Sequence, residues 1–208
     1  FKGQEIVNAI CILGLGYIGL PTAAMFASHG YQVYGVDVNN EIINTLNNGG
    51  IHIEEPGLKE VVHAAISSGN LCVSSTPHVA DAFIIAVPTP FKHNEFGEYE
   101  GKRYKLADMR AVTSAAEAIV PHLRKGNLVI LESTSPVRTT VDLVQPILEK
   151  SGLKAGEDFS LAYSPERVLP GQILKELVEN ARVIGGIDPA SAQKGRDLYS
   201  AFVKGEII

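Results

Sequence analysis

The feature that most constrains this chain is a glycine pattern between an apolar run and a helix-forming segment. Gly14, Gly16 and Gly19 form a G-x-G-x-x-G pattern. The pattern follows the apolar residues 8–13 and precedes the Ala-rich residues 20–29. The first glycine permits a tight turn, the second lets a ligand approach the backbone, and the third lets the helix pack close to the strand. Because a helix start also offers free N–H groups to phosphates, the pattern predicts a dinucleotide-binding unit.

Apolar runs and helical periodicities alternate along the whole sequence. Besides residues 8–13, the predicted strands cover residues 31–37, 71–74, 82–87, 128–131, 160–163 and 182–184. Besides residues 20–29, the predicted helices cover residues 41–46, 56–66, 109–119, 137–150, 172–179 and 190–202. Strands that alternate with helices pair in parallel through right-handed crossovers. We therefore expect residues 1–208 to form one α/β domain, a doubly wound, mostly parallel Rossmann-type sheet with flanking helices.

Two segments carry more specific expectations. Residues 91–105 are polar and charged and contain glycine, a composition typical of a surface loop. Pro146 lies inside the predicted helix 137–150. Because proline has no N–H to donate, this helix is expected to kink or to end early.

An acidic residue, Asp37, ends the second predicted strand, roughly 20 residues after the glycines, as in dinucleotide-binding units. Its carboxylate can accept hydrogen bonds from the ribose hydroxyls of adenosine. A 2′-phosphate would meet this negative charge, and Val38, Asn39 and Asn40 supply no cation. The sequence therefore favours NAD over NADP. In the competing interpretations Asp37 caps the next helix, or the chain is an S-adenosylmethionine methyltransferase, against which the third glycine counts.

Composition excludes several classes of function. The net charge of −5 argues against binding to nucleic acid. No run approaches the roughly 18 apolar residues that a membrane helix needs, and no secretory signal is evident. Cys11 and Cys72 lie in short apolar runs, so both are expected to be buried and inert, as suits the cytoplasm. The six histidines show no metal-ligand spacing, so no metal is expected.

Five ordered blocks resemble the amino-terminal domain of the UDP-glucose/GDP-mannose dehydrogenase family, and the resemblance covers essentially the whole chain. The blocks are residues 14–24, 55–58, 86–92, 131–137 and 165–171. The family's reaction implies two hydride transfers to NAD, which convert the C6 alcohol of a nucleotide sugar to a carboxylate. A cysteine holds the intermediate as a thioester, and the products usually enter surface polysaccharides.

The resemblance also bears on the sugar. Ser135 and residues 167–170 are similar to the branch of the family that acts on UDP-N-acetylhexosamines, so UDP-N-acetyl-D-mannosamine is the expected substrate. UDP-glucose and GDP-mannose are the alternatives within the family. A non-catalytic NAD-binding regulatory module is the alternative of another class, but it leaves the later blocks without a reason.

By resemblance, the residues that contact NAD are Gly14, Gly16, Tyr17, Ile18, Gly19, Asp37, Thr89 and Thr134. Thr89 and Thr134 each follow a predicted strand at its carboxyl end, where open α/β sheets bind ligands. A capping role would also need only a hydroxyl.

The resemblance assigns further roles in the later blocks. It makes Glu166 the general base that activates water for hydrolysis of the thioester, with Thr134 positioning that water. It places Arg167 and Val168 against the UDP-sugar. The competing interpretation of Glu166 is a surface carboxylate paired with Arg167.

The family's nucleophile has no counterpart in this sequence, because Cys11 and Cys72 lie in or beside early strands. By resemblance, the nucleophile, the Lys and Asn that stabilise the oxyanion, a dimerising helix and a UDP-binding domain follow beyond residue 208. We therefore expect the chain to be the cofactor-binding part of an enzyme of roughly twice its length, inactive alone and homo-oligomeric when whole. One departure is Arg138, where the family usually has Gly.

Overall fold

The computed structural model describes residues 7–208, and a mostly parallel sheet is its centre. The strands are β1 (Ala9–Leu13), β2 (Gln32–Val36), β3 (Leu71–Ser74), β4 (Ala82–Ile85), β5 (Phe91–Tyr99), β6 (Lys102–Ala107), β7 (Leu128–Leu131), β8 (Ser160–Tyr163) and β9 (Gly185–Gly186). Seven of them form one sheet in the order β3-β2-β1-β4-β7-β8-β9. The first six strands of that order pair in parallel, which confirms the doubly wound architecture.

Helices cover both faces of this sheet. They are α1 (Gly19–Ser28), α2 (Asn40–Asn47), α3 (Leu58–Ser67), α4 (Arg110–Ile119), α5 (Gln145–Leu148), α6 (Ile173–Glu179) and α7 (Pro189–Tyr199). Successive side chains of a strand point to opposite faces. In β1, Ile10 and Ile12 accordingly join an apolar cluster with α1, α3, α6 and α7, whereas Cys11 and Leu13 join a second cluster with α4 and α5. The central strands β1, β4 and β7 are thus buried on both sides, and their carboxyl ends remain the accessible edge.

The last strand differs from the prediction. The strand predicted at residues 182–184 lies instead beside the chain's last residues, where the N–H groups of Arg182 and Ile184 donate to the carbonyls of Glu206 and Ile208. The strand that joins the sheet is β9, which pairs antiparallel with β8. A Cβ on Gly186 would lie 2.3 Å from the backbone nitrogen of Ala192, so glycine lets α7 approach this strand.

The prediction of a loop at residues 91–105 is also wrong, although the segment lies at the surface as expected. β5 and β6 form an antiparallel hairpin that is separate from the main sheet. Glu100 and Gly101 both have positive φ, as the turn between hairpin strands requires. The hairpin is held by contacts of its own, such as the Arg103 guanidinium, which lies 4.0 Å from the centre of the Phe96 ring. Because most of its side chains are exposed, it lacks the apolar alternation that predicts a half-buried strand.

Two smaller expectations met different outcomes. Residues 137–150 were expected to form a helix that kinks or ends early at Pro146. The segment is helical but irregular: a wide π turn (Thr140–Val144) precedes α5, in whose first turn Pro146 lies, and a 3₁₀ turn (Glu149–Ser151) follows it. Pro146 cannot donate the regular i→i−4 bond, and the helix is irregular around it. Cys11 is buried as predicted, but Cys72 is exposed, because it lies on edge strand β3.

Candidate functional site

The glycine turn after β1 is shaped differently at each glycine. Gly14 has φ +96°, and a Cβ there would lie 2.6 Å from the Ala86 carbonyl oxygen. A Cβ on Gly19 would lie 1.8 Å from the carbonyl oxygen of Gly14, so the fold itself requires both glycines. A Cβ on Gly16 would meet no atom within 4 Å. The turn therefore leaves open space at its middle glycine, beside the start of α1, and a diphosphate fits there.

The other predicted residues of this turn lie around that space. Tyr17 is exposed, and Ile18 immediately precedes α1. No side chain of the described residues caps the amino end of α1, and its first turn contains no acidic residue. The N–H groups at this end remain suited to an anionic ligand.

Asp37 holds the glycine turn against the end of β2. Its Oδ2 accepts a hydrogen bond of 2.8 Å from the Leu15 N–H, and its Oδ1 accepts one of 2.9 Å from the Asn39 N–H. The cap of α2 is Asn39, whose Oδ1 accepts from the Glu41 N–H, so Asp37 does not cap this helix as the competing interpretation held. Each carboxylate oxygen has a second lone pair and can also accept from a ribose hydroxyl.

Thr89 and Thr134 are brought together, although they are 45 residues apart in sequence. The Thr89 hydroxyl donates a 2.5 Å hydrogen bond to the Thr134 carbonyl oxygen. Next to them, the buried Ser133 hydroxyl donates to the Val87 carbonyl oxygen at 2.7 Å. These bonds join the chain beyond β4 to the chain beyond β7. The pair therefore lies on the carboxyl edge of the sheet, as does the glycine turn.

Glu166 lies in the loop after β8, in a buried ion pair. Its Oε2 accepts a hydrogen bond from the Nη2 of Arg182, and its Oε1 accepts a 2.6 Å bond from the Arg167 N–H. The Arg167 guanidinium instead donates to the Ala181 carbonyl oxygen, so the expected alternative, an ion pair with the Arg167 side chain, is not formed. Val168 is half-buried against the first apolar cluster. The Glu166 carboxylate is thus fixed in direction by two donors.

The partners of Arg182 form a buried cluster that sequence reasoning missed. Its Nη1 donates to Glu132 Oε1 and to Ser164 Oγ, each at 3.0 Å. Its guanidinium carbon lies 4.1 Å from the centre of the Tyr199 ring. The Tyr199 hydroxyl also donates to Glu132 Oε1, at 3.0 Å. Because Glu132 directly precedes the Ser133–Thr134 pair, this cluster connects that segment to Glu166.

Glu132 is the least satisfied member of this Arg182 cluster. Burial raises the pKa of its carboxyl to about 7, against the opposing charge of Arg182. Among the described residues, its Oε2 has no hydrogen-bond partner. Burial also raises the pKa of Tyr199 well above its ordinary value. A carboxylate immediately after the fully apolar strand β7 was the one sequence signal that could have indicated this buried group.

Arg138 has a backbone conformation that suits the glycine expected at this position by resemblance. Its φ of +71° lies in the left-handed region, which glycine adopts without steric cost. The guanidinium turns to the following helical turn and donates to both carboxylate oxygens of Asp142, at 2.8 and 2.7 Å. The charge that Arg138 adds is therefore paired with Asp142.

Residues 7–208 contain neither a metal-binding group of side chains nor a membrane-spanning helix. In that range, no group of three or more His, Cys, Asp and Glu side chains is arranged to hold a metal ion. Over the same range, no helix is both long enough and apolar enough to cross a membrane.

Comparison with known proteins gives the same picture of the fold and of its cofactor. Residues 8–203 match the NAD binding domain of the UDP-glucose/GDP-mannose dehydrogenase family. A UDP-N-acetyl-D-mannosamine dehydrogenase from Methanococcus maripaludis is 49% identical over 205 residues, which cover 99% of this chain and 45% of that protein.

Solved structures extend the likeness to three dimensions. A UDP-N-acetyl-mannosamine dehydrogenase from Staphylococcus aureus has a TM-score of 0.89 and 49% identity, covering 96% of this chain and 47% of its own. A GDP-mannose dehydrogenase from Pseudomonas aeruginosa, solved as a ternary complex, has a TM-score of 0.83 and 28% identity, covering 96% and 45%. The chain spans less than half the length of each of these relatives.

Proposed function

The chain belongs to the UDP-glucose/GDP-mannose dehydrogenase family, whose NAD-binding domain it contains, and from this premise we propose its reaction. It takes part in the oxidation of the C6 alcohol of a UDP-N-acetylhexosamine, UDP-N-acetyl-D-mannosamine in particular, to the uronic acid. Two hydride transfers to NAD account for the change from alcohol to carboxylate. Relatives that are 49% identical to this chain and named for that sugar support the choice of substrate.

The observation that carries the proposal is the arrangement of groups at the carboxyl edge of the sheet. The open glycine turn, Asp37 and the Thr89–Thr134 pair follow strands β1, β2, β4 and β7. The loop with Glu166 follows β8, the next strand along. A cofactor and a second ligand can therefore meet at one edge.

Different residues bind different parts of the NAD molecule. The amides around Gly16 and the uncapped start of α1 hold the diphosphate. Asp37 accepts hydrogen bonds from the adenosine ribose, and its charge repels a 2′-phosphate. Thr89 and Thr134 contact the cofactor further along the sheet edge. When bound, NAD accepts the hydride from the sugar.

Glu166 and Thr134 act on water in the hydrolytic step that ends the reaction. The ion pair with Arg182 fixes the position of the Glu166 carboxylate, a group that can accept a proton from water. Thr134 lies in an exposed position from which its hydroxyl can orient that water. Arg167 and Val168, in the same loop, contact the UDP-sugar.

The chain by itself should bind NAD without oxidising the sugar, because neither cysteine can be the nucleophile. Cys11 is buried within β1, where burial raises the pKa of its thiol to about 11. Cys72 lies on edge strand β3, two strands from β1. The thiol and the UDP-binding domain belong to the whole protein, which we propose to be a cytoplasmic homo-oligomer that supplies uronic acids for polysaccharides.

Cofactor binding is tested by isothermal titration of the chain with NAD and with NADP. Wild type should bind NAD more tightly than NADP. Asp37→Ala should weaken NAD by about tenfold or more and bring the two affinities together, because both the ribose acceptor and the repelling charge are lost. Glu60→Ala, at an exposed carboxylate on α3, is the matched control and should change neither affinity. An unchanged NAD affinity in Asp37→Ala would overturn this assignment.

The substrate is tested on the full-length protein with UDP-N-acetyl-D-mannosamine, UDP-glucose and GDP-mannose, by the appearance of NADH. The first sugar should give the highest kcat/KM, and the isolated chain should give no NADH with any of them. Turnover by the isolated chain would contradict the proposed division of roles. A preference for UDP-glucose would move the protein to another branch of the family.

A further inference from the structure

A short segment, residues 52–55, contacts both loops of the proposed site. At one end, His52 Nε2 donates a 2.9 Å hydrogen bond to the Leu15 carbonyl oxygen in the glycine turn. At the other end, the Glu55 carboxylate accepts hydrogen bonds of 2.7 Å from the N–H groups of Gly171 and Ile173. These two amides end the loop 165–171 and begin α6. Four residues thus join segments that are distant in sequence.

Burial and hydrogen bonds hold Ile53 and Glu55 of this segment in place. Ile53, between the two contacts, is 3% exposed and belongs to the same apolar cluster as Leu15 and Ile173. Glu55 is buried, and both of its oxygens are engaged by backbone donors. Without these donors the Glu55 carboxylate would be buried with no hydrogen bonds, which costs free energy. The contact of Glu55 with the loop is therefore strongly favoured.

The glycine-turn end is held by one hydrogen bond, from the exposed His52 side chain. Leu15 donates its N–H to Asp37 and offers its carbonyl oxygen to His52. A ligand held by Asp37 and by the amides around Gly16 therefore restrains the residue that holds His52.

We propose that residues 52–55 are a positioning segment through which NAD binding orders the loop that carries Glu166, Arg167 and Val168. Glu55 fixes the loop at Gly171, and His52 fixes that arrangement relative to the cofactor turn. The inference rests on the proposed function, which makes this loop the substrate loop. If NAD binding orders the loop, it increases the affinity for the sugar nucleotide. By thermodynamic linkage, the sugar nucleotide then increases the affinity for NAD by the same factor.

A purely structural role for Glu55 predicts something different. If Glu55 only caps α6, its contacts stabilise the fold but do not respond to NAD. A positioning segment makes the Gly171 and Ile173 amides more protected when NAD is bound, and the effect depends on His52, which touches neither amide.

Amide hydrogen exchange of the chain, followed by NMR with and without saturating NAD, separates the two roles. In wild type, NAD should slow exchange at Gly171 and Ile173 by about tenfold, a typical coupling between sites. In His52→Ala, NAD should still bind but the slowing should disappear. His52→Gln, whose side-chain amide can donate to Leu15, should restore it. His63→Ala, at an exposed histidine on α3, is the matched control and should behave as wild type.

A second pair of variants tests the other end of the segment. Glu55→Gln puts an amide NH₂ against one of the two N–H donors. The slowing of exchange at Gly171 on NAD binding should therefore be lost. The affinity of the chain for NAD should stay within about twofold of wild type. Glu54→Gln, the exposed neighbour, should change neither quantity. In the full-length protein, Glu55→Gln should raise KM for the UDP-sugar more than it lowers kcat.

The outcomes distinguish this inference from the proposed function. Unchanged amide protection in a wild-type chain that binds NAD, or full slowing in His52→Ala, would overturn the positioning role and leave the proposed function standing. A wild-type chain that does not bind NAD would overturn the proposed function and the inference with it.

Discussion

The two halves of the carboxyl edge are built by different means. On the cofactor side, backbone shape is decisive, because Gly14 and Gly19 fit only without a Cβ and Asp37 is held by two backbone amides. On the loop side, Glu166 and Glu132 share one guanidinium, that of Arg182, in a buried cluster.

This difference sets what each half is sensitive to. The cofactor side responds to added atoms, because Gly14 and Gly19 lie against backbone. The loop side responds to charge, because a buried carboxylate without a partner is costly. The following experiments either separate these two sensitivities or remove the distinction.

Removal of the shared cation should have the largest effect. Arg182→Met leaves the Glu132 and Glu166 carboxylates without their common partner, which should lower the free energy of unfolding by about 3–5 kcal/mol. Urea denaturation measures this change. Arg167→Met is the control, since that guanidinium is exposed and donates only to a backbone carbonyl, and it should cost about 1 kcal/mol or less. Equal losses in both variants would show that the loop side does not depend on the buried guanidinium of Arg182.

The pH dependence of stability should be the next largest effect. Burial raises the pKa of Glu132 to about 7 from an ordinary 4.5, so the folded state keeps this proton to higher pH than the unfolded chain. Its stabilisation is fully present below about pH 4.5 and is lost as pH rises through about 7. At about 1.4 kcal/mol per unit, the change is on the order of 3 kcal/mol.

Glu132→Gln should remove this part of the pH dependence. Urea unfolding at about pH 5 and about pH 8 should then show a smaller difference in stability than wild type shows. Glu117→Gln, on the exposed face of α4, is the matched control and should retain the wild-type difference. A wild-type difference retained in Glu132→Gln would show that another group titrates in this range.

The glycine turn should separate stability from binding. Gly19→Ala places a methyl group 1.8 Å from a backbone oxygen and should cost about 2–3 kcal/mol in the free energy of unfolding. Gly16→Ala meets no protein atom within 4 Å, so it should leave stability nearly unchanged but weaken NAD, because its methyl group occupies the open space. Thermal unfolding and NAD titration measure the two quantities. Normal NAD affinity in Gly16→Ala would place the diphosphate elsewhere.

Most of the sheet was predictable from sequence because its central strands are buried on both faces. Edge strand β3 matches its predicted range, 71–74, and the predicted strands 128–131 and 160–163 coincide with β7 and β8. A parallel strand in this position is a continuous apolar run, which is easily recognised. The hairpin of β5 and β6 was missed because its side chains are mostly exposed and form no continuous apolar run. Strand β9 was missed because it consists of two glycines, which carry no strand signal.

The site divides in the same way. The location of the glycine turn and of Asp37 at the carboxyl edge was predictable, because it depends on local backbone geometry and short spacing. The Glu132 cluster was not, because Arg182 meets Glu132 across 50 residues, and Tyr199 meets it across 67. Only the packing of β7, β8 and α7 brings these side chains together, and an isolated Glu, Arg or Tyr in sequence gives no sign of it.

Substitution of Arg138 should give the smallest effect on stability. It tests whether backbone conformation also determines stability in the loop that follows β7. Its left-handed φ of +71° strains any residue with a Cβ, whereas its ion pair with Asp142 is exposed and worth little. Arg138→Ala keeps the strain and loses the ion pair, while Arg138→Gly loses both. The glycine variant should therefore unfold about 3 °C higher than the alanine variant by calorimetry. Asp142→Ala, which removes only the ion pair, should lie within about 1 °C of wild type. Equal midpoints for the glycine and alanine variants would mean that the turn relaxes, and that the family's glycine at this position serves the ligand and not the backbone.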